Sequence, residues 1–554
     1  MPTLNWIGKA AVQQHHTRVP VRLLESVPAL SCGDAGSGNL IVQGDNLHAL
    51  KALLPRYAGQ VKCIYIDPPY NTGNEGWVYN DNVNSPEIRK WLGEVVGKEG
   101  ETLDRHDRWL CMMYPRLVLL RQFLREDGFI FVSLDDNEIA SFKMLLEEIF
   151  GEKNFVAQII IEANRRGQTY KQISKTHEYL LCFQKSDSAA LNEIQTSGEN
   201  LDKSDEFGAF SPRELRNRNP KFGRFNRPNL FYPIYIDPSP ANSRGEHAVS
   251  TVPLPGFIKT VPLNSQGVES CWRWGAPKLE EACVTGTRIV FASQTRTGEW
   301  RIFEKYRKEA VKAKTIWADT EFISEQGTYV LGEMGLANDF QFPKPPELIR
   351  RCIQLASNSG DLIMDSFAGS GTTAHAVLKQ NAADGGNRRF ILVEMDANIA
   401  STVTAERVRR AAQGYTTPKG EEVAGLGGGF QFCRLSREPL FDASGQVRED
   451  VTFAQLAEFV WFKETGTGFA GFPGGAASPL LGVHEGRAVY LLYNGILKEL
   501  KAGIGEGNIL TEEVFSALPP FAGAKIIYAA AERMGKSLEH ERITFKQTPY
   551  ELEM

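Results

Sequence analysis

The sequence predicts an α/β fold around a mostly parallel sheet. Short apolar runs alternate with stretches of helical spacing, the runs end in turns rich in Gly, Pro and Asp, and this pattern occurs on both sides of an irregular middle. In NLIVQGDNLHALKAL (39–53) an apolar run stops at Gly44-Asp45-Asn46 and gives way to Leu47, Leu50 and Leu53, so strand, turn and helix follow one another. VKCIYIDPPYNTG (61–73) is a short run rich in Ile and Tyr that stops at a proline pair, as a buried parallel strand entering a loop does. A helix is expected in WLCMMYPRLVLLRQFLRE (109–126), a strand in GFIFVSL (128–134), and a second helix opened by the DDNE at 135–138 and running through Phe150.

From about 160 to 335 the pattern loosens into Gly, Pro, Asn and Arg with short strands such as HEYLLCF (177–183) and TRIVFAS (287–293), and reads as an insertion. Order returns with a helix in FPKPPELIRRCIQLAS (342–357), a strand, glycine turn and helix in DLIMDSFAGSGTTAHAVLKQ (361–380), and a strand in RRFILVEMD (388–396). Residues 411–429 read as a linker, and AVYLLYN (488–494) and AKIIYAAA (524–531) as strands of a small separate α/β domain. The expected organisation is a first core part at 1–160, an insert at 161–335, a second core part at 336–415 and a C-terminal domain at 430–554.

Composition narrows the classes. The chain of 554 residues is 42% hydrophobic and 23% charged, which excludes disordered and fibrous chains. Lys+Arg 62 against Asp+Glu 67 leaves a net charge of -5, so nucleic-acid contact must come from local basic patches. The eight cysteines are scattered without a CxxC pair, the first residues lack the apolar core of a signal peptide, and no 18 uncharged apolar residues run together. The expectation is a cytoplasmic protein without a membrane span.

In DSFAGSGTTA (365–374) a strand ends in Gly369-Ser370-Gly371, with Ala374 where a small residue lets the helix approach the sheet. Glu394 ends the next strand 23 residues after Gly371, suited to accept from both ribose hydroxyls of an adenosine-containing ligand. By itself this also describes a dinucleotide-binding dehydrogenase or a plain tight turn. Asp67-Pro68-Pro69-Tyr70 arbitrates, because methylating an exocyclic base amine needs these groups together. The amine lone pair is delocalised into the ring, so two acceptors must hold both N–H groups in directions that favour a tetrahedral nitrogen. The Asp67 carboxylate can supply one and the Pro68 carbonyl the other, Pro68 and Pro69 stiffen the loop, and Tyr70 offers a stacking face to a flipped-out base.

These residues resemble those of the β class of amino-methyltransferases that use S-adenosyl-L-methionine to modify adenine N6 in DNA. DPPY is similar to their catalytic motif, and FAGSGTT (367–373) resembles their donor-binding motif through Phe367, Ala368, Gly369, Ser370, Gly371 and Thr372, with Asp365 before it and Glu394 after it. The order, catalytic motif first and donor motif about three hundred residues later, is that of the β class. The resemblance implies a Rossmann-like methyltransferase sheet with permuted motif order and a target-recognition region in the insert. LNWIGK (4–9), QGDNLHAL (43–50), FVSLDDNE (131–138), THEYLLCFQKS (176–186), RPNLFYPI (227–234), WRWG (272–275), FPKPPELI (342–349) and ITFKQTPYEL (543–552) are similar to one branch, the modification subunits of type III restriction–modification systems. That likeness implies that Lys344 and Pro345 lie near the donor's methionine end and Asp45 near the donor. It further implies double-stranded DNA as substrate, a homodimer, and a helicase-nuclease restriction subunit as partner.

In the insert, residues 213–227 contain Arg213, Arg216, Arg218, Lys221, Arg224 and Arg227 among Phe222 and Phe225, which suits phosphate contact, and Arg165, Arg166 and Lys171 form a smaller patch. Trp272-Arg273-Trp274 reads as a packed strand, although an arginine between aromatics can read guanine. Asp135 and Asp136 read as helix caps, no metal is called for, and the nine histidines show no ligand spacing. The alternatives to adenine-N6 methylation are cytosine-N4 methylation, where Ser usually stands in place of Asp67, and a DNA-recognition scaffold with weak or lost methylation.

Overall fold

The computed structural model describes residues 3–72, 105–167, 172–195, 203–264, 266–284, 289–295, 297–307, 310–442, 447–473, 475–493, 508–548 and 552. Its centre is a ten-stranded sheet made of β1 (Arg22–Ser26), β2 (Leu40–Gln43), β3 (Val61–Ile66), β4 (Leu124–Leu134), β5 (Phe155–Glu162), β6 (His177–Gln184), β7 (Ile316–Trp317), β8 (Leu362–Asp365), β9 (Arg389–Glu394) and β10 (Gln431–Pro439). Across the sheet the order is β1-β10-β2-β9-β8-β3-β4-β6-β5-β7. From β10 to β4 all neighbours are parallel, whereas β6 runs antiparallel to both β4 and β5. The fold is therefore the α/β sheet that the alternation predicts, Rossmann-like as the resemblance implies.

Helices α1 (Asn46–Tyr57), α2 (Arg105–Phe123), α3 (Ile139–Phe150), α4 (Pro346–Ala356), α5 (Thr372–Asp384) and α6 (Ala405–Gln413) belong to this core. Every residue of β3 is buried, which explains its unbroken apolar run: a central parallel strand is covered on both faces. Leu53, Ile64, Leu117, Ile130, Met364 and Val393 belong to the same core cluster.

The chain leaves β3 towards β4 and leaves β8 towards β9, in opposite directions from adjacent strands. Ile363 and Met364 pair with Cys63 and Ile64, so the loops after β3 and β8 emerge side by side. A crevice at such a switch point is where open parallel sheets bind ligands. Residues 67–70 and 366–371, three hundred positions apart in sequence, thus open the same crevice.

Three boundaries differ from the sequence expectation. The compact unit within the insert is 193–313, and 1–192 with 314–554 form the other unit, because β5, β6 and β7 hydrogen-bond into the large sheet. The stretch 411–429 is a helix end followed by a hairpin of 414–416 with 422–424, and β10 joins β1 and β2. The C-terminal region has its own sheet of 480–484, 487–491, 524–529 and 543–547, yet clusters with the core. Gly468 N donates to Ala58 O at 3.0 Å and Phe469 N to Pro55 O at 2.9 Å, tying the region to the end of α1. Among the described residues no helix is long and apolar enough to cross a membrane.

The unit 193–313 holds a four-stranded sheet of 290–294, 300–306, 208–214 and 203–205, and a three-stranded sheet of 249–250, 234–236 and 258–260. Leu215, Ile234, Ile236, Trp272, Leu279, Val290 and Ile302 form its core.

Candidate active site

The glycine turn is held by groups that the strand ends supply. Asp365 points inward, accepting from Phe367 N at 2.9 Å and from the Thr373 hydroxyl at 2.5 Å, and burial pushes its pKa from 3.8 up to about 7. Glu394 accepts from Gly369 N at 2.8 Å and from Asp396 N at 2.9 Å, which ties the end of β9 to the glycine turn. Gly371 adopts φ 79, and a Cβ there would stand 3.2 Å from the Thr404 carbonyl oxygen, so the close approach of α5 to the segment before α6 requires glycine. Ala374 is fully buried in the same contact layer, and Ala368 lies buried beside β9, its N–H donating to Val393 O at 3.0 Å. Phe367 packs against the main core.

Arg407 on α6 was not singled out from the sequence, having no local signature there. Its Nη1 donates to Ser370 Oγ and to Thr372 Oγ1, both at 2.6 Å, from a fully buried position. Burial pushes its pKa down to about 9. Asp45 caps α1 by accepting from Leu47 N at 2.9 Å and His48 N at 3.2 Å, and pairs with Arg116 at 3.1 Å. Asn46 donates to Ser366 O at 3.1 Å, linking this cap to the glycine turn.

The loop after β3 is fixed from outside. Trp109 Nε1 donates to Pro69 O at 2.7 Å, and Asn71, at φ 56 and fully buried, donates to Glu138 Oε1 at 2.6 Å and to Arg105 O at 3.2 Å. Glu138, last of the acidic run, also faces His106 at 2.7 Å and accepts from Ser141 Oγ at 2.8 Å. Its neighbours Asp135 and Asp136 hold Lys175 at 3.2 and 3.1 Å.

At the mouth of the crevice Asp67, Tyr70, Lys344 and Glu178 converge. The Lys344 ammonium is 2.7 Å from Glu178 Oε2, 3.5 Å from Asp67 Oδ1 and 4.6 Å from the centre of the Tyr70 ring, and it donates to the Tyr70 hydroxyl. Tyr70 donates to Glu178 Oε2 at 3.1 Å. Burial, with Glu178 nearby, pushes Asp67 from 3.8 up to about 6 against the pull of Lys344. Glu178 stays below the usual glutamate value, because Lys344 outweighs its burial. Asp67 Oδ1 is itself buried and accepts no well-aligned hydrogen bond from the described residues. Such an acceptor is costly unless a donor arrives.

A ligand with a ribose and a sulfonium fits this crevice. Ser366 Oγ is buried without a hydrogen-bond partner among the described residues, and the carboxylates of Asp67 and Glu394 make the space electronegative.

The sequence profile of the DNA methylase family matches residues 61–405. The chain belongs to the DNA methylase family. This methylase is 33% identical over 431 residues to the Mod subunit of the type III restriction-modification enzyme EcoPI of Escherichia phage P1, covering 73% of this chain and 65% of that one. It is 33% identical over 381 residues to the type II methyltransferase M.KpnI of Klebsiella pneumoniae, covering 68% and 85%. With the StyLTI Mod subunit of Salmonella typhimurium it shares 31% over 392 residues, 69% of this chain and 55% of that one. The methylase thus matches less than two thirds of the length of these two Mod subunits.

In the insert the basic residues are largely compensated. Arg216 and Arg218 pair with Glu214 at 2.8 and 2.6 Å, Arg224 with Glu269 at 2.8 Å, and Arg213 faces Glu304 at 3.5 Å. Arg227 lies 5.3 Å over the Phe222 ring, and Lys221 is exposed. Arg165 pairs with Glu162 at 3.1 Å, Arg166 is exposed, and Lys171 lies outside the described residues.

Proposed function

We propose that the chain is a sequence-specific DNA methyltransferase that transfers a methyl group from S-adenosyl-L-methionine to N6 of a flipped-out adenine. The observation that carries this is the buried Asp67 Oδ1, which accepts no well-aligned hydrogen bond from the described residues and is met only by Lys344 at 3.5 Å, beside Tyr70 at the switch point that the glycine turn and Glu394 also line. The donor supplies an electrophilic methyl on its sulfonium, and Glu394, the glycine turn and Asp45 hold it. Asp67 accepts one N–H of the amine, and the Pro68 carbonyl the other. Their pull localises the nitrogen lone pair and aims it at the methyl. Lys344 remains on Glu178 and yields its 3.5 Å contact with Asp67 to the incoming amine, which also clears the Tyr70 face for stacking. The amine proton leaves to solvent after transfer.

The resemblance to type III modification subunits supports a second copy of this chain and a helicase-nuclease subunit as partners, in the cytoplasm. This reading assigns DNA contact to the 213–227 segment and, as a separate patch, to Arg165, Arg166 and Lys171. The test incubates the protein with isotope-labelled donor and unmethylated genomic DNA and identifies labelled nucleosides by mass spectrometry. Labelled N6-methyldeoxyadenosine is expected. Labelled N4-methyldeoxycytidine overturns the base assignment, and no label with DNA binding intact points to the scaffold alternative.

A further inference from the structure

Methyl transfer leaves Trp272-Arg273-Trp274 unused. In the unit 193–313 these residues line an open groove of about 890 Å³. Their backbone is rigidly mounted. Trp272 bridges Arg216, Arg273 N donates to Leu215 O at 2.9 Å, Trp272 Nε1 donates to Tyr232 O at 2.7 Å, and the Tyr232 hydroxyl donates to Trp274 O at 2.9 Å.

The other cations of the groove are engaged. Lys305 sits between Asp205 and Glu246 at 2.9 and 3.0 Å, Arg307 pairs with Asp205 at 2.5 Å, and Lys278 lies 4.0 Å over the Trp274 ring. Arg273 differs. Its Nε is buried with no hydrogen-bond partner among the described residues, and no side chain there forms an ion pair with its guanidinium. Glu304 and Glu214 act on it only through space, each already facing another arginine, while burial and Arg213 push its pKa below the usual arginine value. A guanidinium on a fixed backbone, with a buried Nε–H that meets no acceptor among the described residues, is a donor group awaiting acceptors.

We propose that Arg273 is a specificity-determining residue that reads the O6 and N7 acceptors of a guanine in the major groove of bound DNA. The proposal deepens, and rests on, the reading of the chain as a DNA-recognising enzyme. The planar fork of arginine matches those two acceptors, the commonest base-specific contact. A backbone phosphate offers a similar acceptor pair. Arginines such as Arg218 and Arg224, which are more than half exposed, suit phosphates, whereas Arg273 is half-buried in the groove that Trp272 and Trp274 also line, a recess that suits a base edge.

The test selects bound duplexes from a randomised pool with the full chain, with Arg273→Ala and with Arg273→Lys, checking that both variants melt as the wild type does. The wild type is expected to select a motif with an invariant guanine. Arg273→Ala loses preference for that guanine by about 5- to 150-fold while keeping the rest of the motif, and Arg273→Lys keeps part of it. An unchanged motif in Arg273→Ala overturns the proposal. So does equal weakening on all sequences with a salt dependence reduced by about one, which assigns Arg273 to a phosphate. A wild type without sequence preference overturns it as well. A guanine-containing motif recovered from a chain that labels no base supports the role of Arg273 and sinks methyl transfer, so the two failures are distinct.

Discussion

The loop after β3 and the loop at 215–227 both carry the polar side chains of a working surface, but they hold them differently. In the first, Trp109 and Glu138 reach in from other elements to the Pro69 carbonyl and to Asn71 of the loop, and Asp67 is left as an acceptor whose position the surroundings dictate. In the second, the backbone holds itself: Asn226 binds Gly223 N at 3.0 Å and Lys221 O at 2.8 Å, while the side chains face outward. Arg218, Arg224 and Phe225 are more than half exposed. Chemistry on an amine needs a fixed geometry, so its groups are locked from behind. Contact with a polyanion needs reach and charge, and long exposed side chains exchange one anionic partner for another at small cost.

The sharpest way to break this contrast is Asp67→Ala, which should lower methylation by about 100- to 1000-fold with donor and DNA binding retained. Unchanged turnover would remove Asp67 from the chemistry. Because protonation weakens the carboxyl as an acceptor and turns one of its oxygens into a donor, kcat/KM of the wild type should fall as pH drops through about 6. Next, Arg407→Met removes two charged hydrogen bonds from the glycine turn but also relieves a buried cation with unpartnered Nε and Nη2. The donor KM should rise about tenfold, following a net loss near 1.4 kcal/mol, with kcat held. A change in kcat alone would contradict a role in donor binding.

Trp109→Phe leaves the Pro69 carbonyl without its indole donor, at a cost of about 1–3 kcal/mol. Thermal denaturation and single-turnover rates should fall together if the loop is fixed from behind. Asp365→Asn tests the inward carboxyl through stability. A folded pKa near 7 against 3.8 unfolded means the folded protein binds the extra proton, so this group's contribution is complete below about pH 4 and is lost as pH rises to about 7. Asparagine keeps the acceptor for Phe367 N and should flatten that slope in melting temperature. The smallest effect belongs to Arg224→Ala, whose exposed pair with Glu269 is worth under about 1 kcal/mol. Stability should hardly move, while the salt dependence of DNA binding falls by about one.

What the sequence made legible was local. β3 and β8 read as buried runs, the glycine turn carried its own spacing, and DPPY stated a chemistry in four adjacent residues. The resemblance of Lys344 to a donor-binding position did not anticipate its contact with Glu178, since that pair joins residues 166 apart, one in β6 and one in the segment before α4. Arg407, Trp109 and Glu138 were silent for the same reason: each acts through a partner far along the chain. The glycines of GLGGGF (425–430), at the end of the expected linker, misled by type. Gly429 is there because its Cα side faces the Cys32 carbonyl oxygen, 2.5 Å from where a Cβ would stand, so the end of the expected linker is a tight crossing that leads into β10. The short lengths of β7 and of the insert strands hid the edge of the large sheet.

The seams of the insert bear on inheritance. Just before it, Asn192 N donates to Leu355 O at 2.7 Å, and just after it Thr315 O accepts from Ile160 N at 2.8 Å. Both anchors belong to the large sheet and its covering helix, so neither depends on what is spelled between them. The intervening cassette can therefore be rewritten without touching either anchor, and under the proposed function a new DNA target could be acquired with the residues around Asp67 and Glu394 left as they are.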